Sequence, residues 1–100
     1  MLEAKTSIMS NPTLHVRIIS PQQLILDTEA NSVSSKNPRG NFDILPQHAN
    51  FITIVDNAPI TIRPAGGQKS LIFKFPLAII LTRENKVDIY TYIQPRNTGR

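Results

Sequence analysis

The chain has 100 residues, with 11 lysines and arginines against 7 aspartates and glutamates, a net charge of +4 and no cysteine. That is room for one compact domain, without a disulfide scaffold or a thiolate metal site. An apolar fraction of 40% with 18% charged residues belongs to a folded domain, not a disordered chain.

The opening segment "MLEAKTSIMSNP" has neither a basic start nor a continuous apolar core, so it reads as a flexible leader over 1–12, not a signal peptide. From residue 13 the chain becomes a series of short β-prone runs. "LHVRIIS" (14–20) alternates Leu14, Val16 and Ile18 against His15 and Arg17, the period of a strand. "QQLILD" (22–27) follows Ser20-Pro21, "EANSVSS" (29–35) is a weaker run, and "KNPRG" (36–40) is a turn cluster.

"FDIL" (42–45), "NFITIV" (50–55) and "PITIRP" (59–64) come next. "AGGQ" (65–68) reads as a hairpin turn in which glycine supplies positive φ. "SLIFKF" (70–75) and "LAIILTR" (77–83) are split by Pro76, whose missing N–H suits a bulge or a strand start. The longest apolar run, "PLAIIL", has the length of a buried strand and is far short of the roughly 18 residues that span a bilayer.

After the turn "RENK", "KVDIYTYI" (86–93) sets Val87, Ile89, Thr91 and Ile93 against Asp88, Tyr90 and Tyr92. A polar tail closes the chain over 95–100. No segment carries a helical apolar stripe. The expectation is an all-β, antiparallel β-sandwich of about 8–10 short strands over 13–94, with no substantial helix.

Chemistry is harder to find. His15 shares a strand face with Arg17 and reads as solvent-facing. His48, in a turn between two apolar runs, has three open uses: a bond to nearby backbone, a partner surface, or catalysis and metal binding. No local spacing supplies the three clustered ligands that zinc chemistry needs. Ser32, Ser34 and Ser35 stand in no G-x-S-x-G turn, and Gly66-Gly67 leads into a strand instead of a phosphate-binding helix.

The basic residues Lys36, Arg39, Arg63, Lys69, Lys74, Arg83, Lys86, Arg96 and Arg100 are scattered, as on a solvated face and unlike a nucleic-acid footprint. Phe73, Phe75, Tyr90 and Tyr92 are expected to pack in the core instead of stacking bases. No catalytic residue, cofactor or metal ligand is nominated.

One stretch carries more. Gly40-Asn41-Phe42-Asp43-Ile44-Leu45-Pro46-Gln47-His48-Ala49 resembles a stretch of the epsilon subunit of F-type ATP synthases (delta in mitochondria), of the form Gly-x-(Phe/Leu)-Gly-Ile-Leu-Pro-Gly-His-Ala. "LHVRIISP" (14–21) is similar to that family's opening strand, and "FITIV" and "NKV" (85–87) fit its later runs. Asp43 and Gln47 replace two family glycines, Asn41 stands where members often carry glutamate, and Phe75-Pro76-Leu77 replaces a Gly-Gly-Phe.

The resemblance implies a non-catalytic rotor subunit in the central stalk, without cofactor, bound to gamma and to the membrane rotor ring. It implies no nucleic-acid partner and no membrane insertion, with the complex on the cytoplasmic face of a bacterial inner membrane. Arg39, Gly40, Asn41 and Phe42 would face the ring, and Pro46, Gln47 and His48 would lie near gamma. Family members usually continue into an inhibitory helical hairpin, and no helical sequence of that kind is read here. The alternatives are a carbohydrate-binding sandwich using Tyr90, Tyr92 or Phe51, and a small nucleic-acid-binding β domain.

Overall fold

A computed structural model describes residues 12–92, so the expected leader over 1–12 (apart from Pro12) and the tail over 95–100 lie outside the described residues. The described residues form eight strands and no helix: β1 (Leu14–Ile19), β2 (Leu24–Asn37), β3 (Gly40–Ile44), β4 (Phe51–Val55), β5 (Pro59–Pro64), β6 (Leu71–Lys74), β7 (Ala78–Arg83) and β8 (Lys86–Thr91). No helix among them is long and apolar enough to cross a membrane.

The strands bond in the order β4-β7-β8-β1-β2-β5-β6, with β3 added beside β2. This sheet curls into two layers, as expected of the sandwich. Its β4 end returns against β2 and β3, where Asn37 Nδ2 donates to Thr53 Oγ1 at 2.9 Å. All pairings are antiparallel except β1 with β8, which runs parallel from His15↔Lys86 to Ile19↔Tyr90.

Alternation puts one side chain in two between the layers. Leu14, Val16 and Ile18 of β1, Ile60 and Ile62 of β5, Ile80 of β7, and Val87 and Ile89 of β8 are fully buried, with Val33, Ile44 and Val55 completing the centre. Each such side chain contributes about 1.5–3 kcal/mol on leaving water. Phe73 and Phe75 are half-buried against this core. Tyr90 and Tyr92 are not: at 41% and 54% exposure they stand on the outer face, contrary to expectation, because Val87, Ile89 and Thr91 take the inward positions of β8.

Residues 22–27 and 29–35, read as separate runs, belong to one 14-residue strand. β2 serves both layers, pairing β1 through its first half and β3 through its second. On the β5 side Ala30 pairs Pro64 while Ser32 pairs Arg63, so Asn31 is an extra residue, a β-bulge. Past it the buried set changes from Ala30 and Ser32 to Val33 and Ser35. A shift of one residue reverses the inward face, and that is why alternation was weak here. Pro76 falls between β6 and β7, where its carbonyl accepts Asn57 N–H at 3.1 Å.

One core position is imperfect. Thr82, 1% exposed, has a buried hydroxyl without a hydrogen-bond partner among the described residues. An unpaired buried hydroxyl costs about 1–3 kcal/mol. Thr82→Val keeps the β-branched shape and removes it, so urea unfolding should show a gain of about 1 kcal/mol. An equal loss would mean that the hydroxyl is satisfied.

Candidate functional site

The residues nominated from the sequence fall into two groups at opposite ends of β3. At one end Asn37, Pro38, Arg39 and Gly40 make the β2–β3 turn, with Asn37 Oδ1 accepting Arg39 N–H at 2.8 Å. Asparagine first, proline second and glycine fourth is the composition of a type I turn. Arg39, Gly40 and Asn41 are exposed there.

At the other end Leu45, Pro46, Gln47 and His48 form a second turn, closed by His48 N–H on Leu45 C=O at 3.1 Å. Pro46 presets its second residue, and Gln47 occupies the third at φ 67°, where a type II turn favours glycine. The glutamine is held in the left-handed region, at a cost of about 1–2 kcal/mol relative to ordinary backbone.

His48 uses its ring locally. Nδ1 lies 2.9 Å from the Ala49 carbonyl and donates to it, and the ring meets Phe51 edge-on at 5.6 Å. Phe51 in turn meets Phe42 at 5.3 Å. Phe42 thus links the two groups through the aromatic trio Phe42–Phe51–His48, while Arg39 and His48 are not brought together. Leu45, beside this trio, is 52% exposed.

A further apolar feature was not nominated as a partner surface. On the outer face of the β4–β7–β8–β1 layer, Ile54, Ile79, Tyr90 and Ile19 stand opposite one another in register, a cross-sheet apolar row. Ile52 and Leu81 begin the next row. Ile52 is 67% exposed, Ile54 53% and Ile79 40%. Pro38, Ile52, Thr53, Ile54 and Ile79 border a shallow hollow of about 440 Å³, and Leu77, Ile79, Tyr90 and Tyr92 help line a smaller one of about 200 Å³. The sequence did carry a signal: Phe51-Ile52, Ile54-Val55 and "AIIL" (78–81) are apolar at consecutive positions, hence on both faces of a strand.

The same face turns polar toward the start of β1. Arg17 grips Asp88 with two bonds, Nε to Oδ1 at 3.0 Å and Nη2 to Oδ2 at 3.1 Å. The Asp88 bond, then its charge, raise the Arg17 guanidinium further above its usual pKa. His15, solvent-facing as expected, lies 2.7 Å from Asp27 and 3.0 Å from Glu29. The Glu29 carboxyl is held below its ordinary range, first by the Thr13 hydroxyl at 2.6 Å, with partial desolvation opposing and His15 assisting. The outer face of the other layer is largely hydrophilic, with Ser34, Lys36, Asn41, Asp43, Thr61 and Arg63 around an open cleft and a single exposed isoleucine, Ile72, opposite Thr61. Among the described residues the contiguous exposed apolar row lies on the β4–β7–β8–β1 face.

No cluster of three or more histidines, aspartates or glutamates suited to a metal occurs among the described residues.

Comparison with known proteins agrees with this geometry. Residues 13–92 match the family described as ATP synthase, Delta/Epsilon chain, beta-sandwich domain. The chloroplastic ATP synthase epsilon chain of Nephroselmis olivacea is 29% identical over 77 residues, 77% of this chain and 56% of that protein. That of Pinus koraiensis is 33% identical over 54 residues, 54% of this chain and 39% of that one. The chain thus spans about half the length of the curated relatives it matches.

Among solved structures, a chain of the Euglena gracilis mitochondrial ATP synthase (OSCP/F1/c-ring) superposes with a TM-score of 0.73 at 15% identity, over 83% of this chain and 54% of its own. A chain of the Tetrahymena thermophila mitochondrial ATP synthase central stalk and c-ring gives 0.68 at 13% identity, over 85% and 67%. At such identities these two likenesses speak for the fold alone.

Proposed function

The chain belongs to the delta/epsilon β-sandwich family of ATP synthase, and from that premise we propose that it serves as a non-catalytic central-stalk subunit, packed on gamma and standing on the membrane rotor ring. In this role it passes proton- or sodium-driven rotation to the catalytic head. It needs no cofactor and reaches the membrane only through the complex, on the side that is cytoplasmic in a bacterium.

The observation that carries the reading is the outward apolar row Ile54–Ile79–Tyr90, with Ile52 beside it. Contiguous exposed apolar surface on a small domain marks a surface that another protein covers. Two hydrogen-bonded layers around a close-packed core also resist shear, as a torque-bearing spacer must. Gamma covers the apolar row and also meets the Pro46–His48 turn, and the Arg39–Phe42 hairpin is directed to the ring.

The tyrosines were also the mark of a carbohydrate module. The hollow at Tyr90 and Tyr92 is small and lined otherwise by Leu77, Ala78, Ile79 and Thr91. Sugar hydroxyls need convergent amide and carboxylate partners, so this lining suits an apolar protein surface better.

Titrating the chain against gamma from the same organism, by calorimetry, should give a one-to-one complex with a Kd below about 1 μM. Absence of binding to folded gamma would remove this reading and leave the fold untouched.

A further inference from the structure

Two strained turns touch each other. In the Leu45–His48 turn, Gln47 sits at φ 67°; in the β7–β8 turn, Glu84 and Asn85 sit at φ 53° and 63° between the paired Arg83 and Lys86. The Gln47 N–H donates to Asn85 Oδ1 at 2.6 Å, across 38 residues of sequence. Asn85 is anchored in turn, since its own carbonyl accepts His15 N–H from β1 at 2.8 Å.

Each part suits the task. Asparagine tolerates the left-handed conformation that a two-residue hairpin imposes, and its short side chain keeps its amide oxygen close to the backbone. Glutamine has no such tolerance, so its N–H is where a single external acceptor does most to hold the turn. Directly beside Gln47 are the features a partner would meet, the half-exposed Leu45 side chain and the His48 ring on Phe51.

The geometry points to Asn85 as the positioning residue of the Leu45–His48 turn: its amide oxygen holds Gln47 in place and so fixes how Leu45 and His48 are presented to the stalk partner. This rests on the stalk reading above. It adds the β7–β8 turn to that contact as its support, through a residue that need not touch the partner.

The test pairs two readouts, hydrogen exchange of the Gln47 amide by NMR and affinity for gamma, on three proteins: the native chain, Asn85→Gly and Asn85→Asp. Glycine keeps the positive-φ turn and deletes the acceptor; aspartate keeps both. With Asn85→Gly, Gln47 should exchange at least tenfold faster and gamma should bind about tenfold more weakly, the scale of one lost hydrogen bond. Asn85→Asp should restore both.

Unchanged exchange in Asn85→Gly, faster exchange with native affinity, or no rescue by Asn85→Asp would each overturn the assignment. If the native chain itself fails to bind gamma, the stalk reading falls and the presentation role falls with it. The exchange comparison then decides separately whether Asn85 fixes the turn.

Discussion

Replacing Ile80 with alanine should remove about 3–4 kcal/mol of folding stability, read as a lower urea midpoint at unchanged slope. Ile80 is wholly buried and lies opposite Thr53 on β4 and Ile89 on β8, so its side chain meets the core from the middle of a layer. Deleting three carbons there loses their transfer free energy and leaves a cavity that flanking strands, locked in register, cannot collapse to fill. A domain of this size holds about 5–10 kcal/mol in total, so the variant should melt some 15–25 °C lower. Ile80→Val, which removes one carbon, should lose about 0.5–1.5 kcal/mol. A loss below about 1 kcal/mol for the alanine variant would mean that Ile80 is not at the centre of the core.

The next residue along should behave in the opposite way. Ile79→Glu changes a side chain that is 40% exposed in the isolated domain, flanked in register by Ile54 and Tyr90. Its stability should move by no more than about 0.5–1 kcal/mol, the range of surface and strand-propensity changes. Gamma binding should weaken about hundredfold or more, because an unpaired carboxylate would have to be buried at the middle of the contact. A change of similar charge on the hydrophilic outer face, Thr61→Glu, provides the control and should leave the affinity within about threefold. Equal binding by native and Ile79→Glu chains would take the apolar row out of the interface. Neighbouring isoleucines with opposite phenotypes would show that β7 is covered on one face by its own fold and on the other by a partner.

That division explains what the sequence could and could not reveal. β1, β5 and β8 were legible because one face of each meets the core and the other meets water or polar neighbours, so apolar and polar residues alternate. β4 and β7 lose the alternation because the second face is also apolar, and a chain read alone attributes such a run to burial within its own fold. The same ambiguity put Tyr90 and Tyr92 in the core, although the spacing of Val87, Ile89 and Thr91 had already filled the inward positions. β2 was cut in two because the bulge at Asn31 reverses its phase midway.

The Leu45–His48 turn was visible because proline at its second position carries a local signal. Asn85 as its support was not, since that contact depends on two hairpins meeting in space. Nor could spacing reveal that Arg39 and His48 stand at opposite ends of β3. A strand separates its ends by about 3.3 Å per residue, whatever their closeness in sequence.

The parallel ladder between β1 and β8 bears on how the protein is made. β1, among the first described residues to be synthesised, has β2 on one side within a few residues of chain, but its other neighbour arrives some 70 residues later, as in the pair Arg17–Asp88. Before β8 is made, β1 can join only the β1-β2-β5-β6 ladder, with β3 beside β2, and its other edge stays unfilled. The layer that carries β4 and β7 is joined to the β1 ladder through β8, so it has no ladder connection to it until that strand has left the ribosome. Closing so long a loop is entropically costly and slow. Completion of this fold in the nascent chain therefore waits on β8, and until then the isoleucines of β7 are open to chaperones.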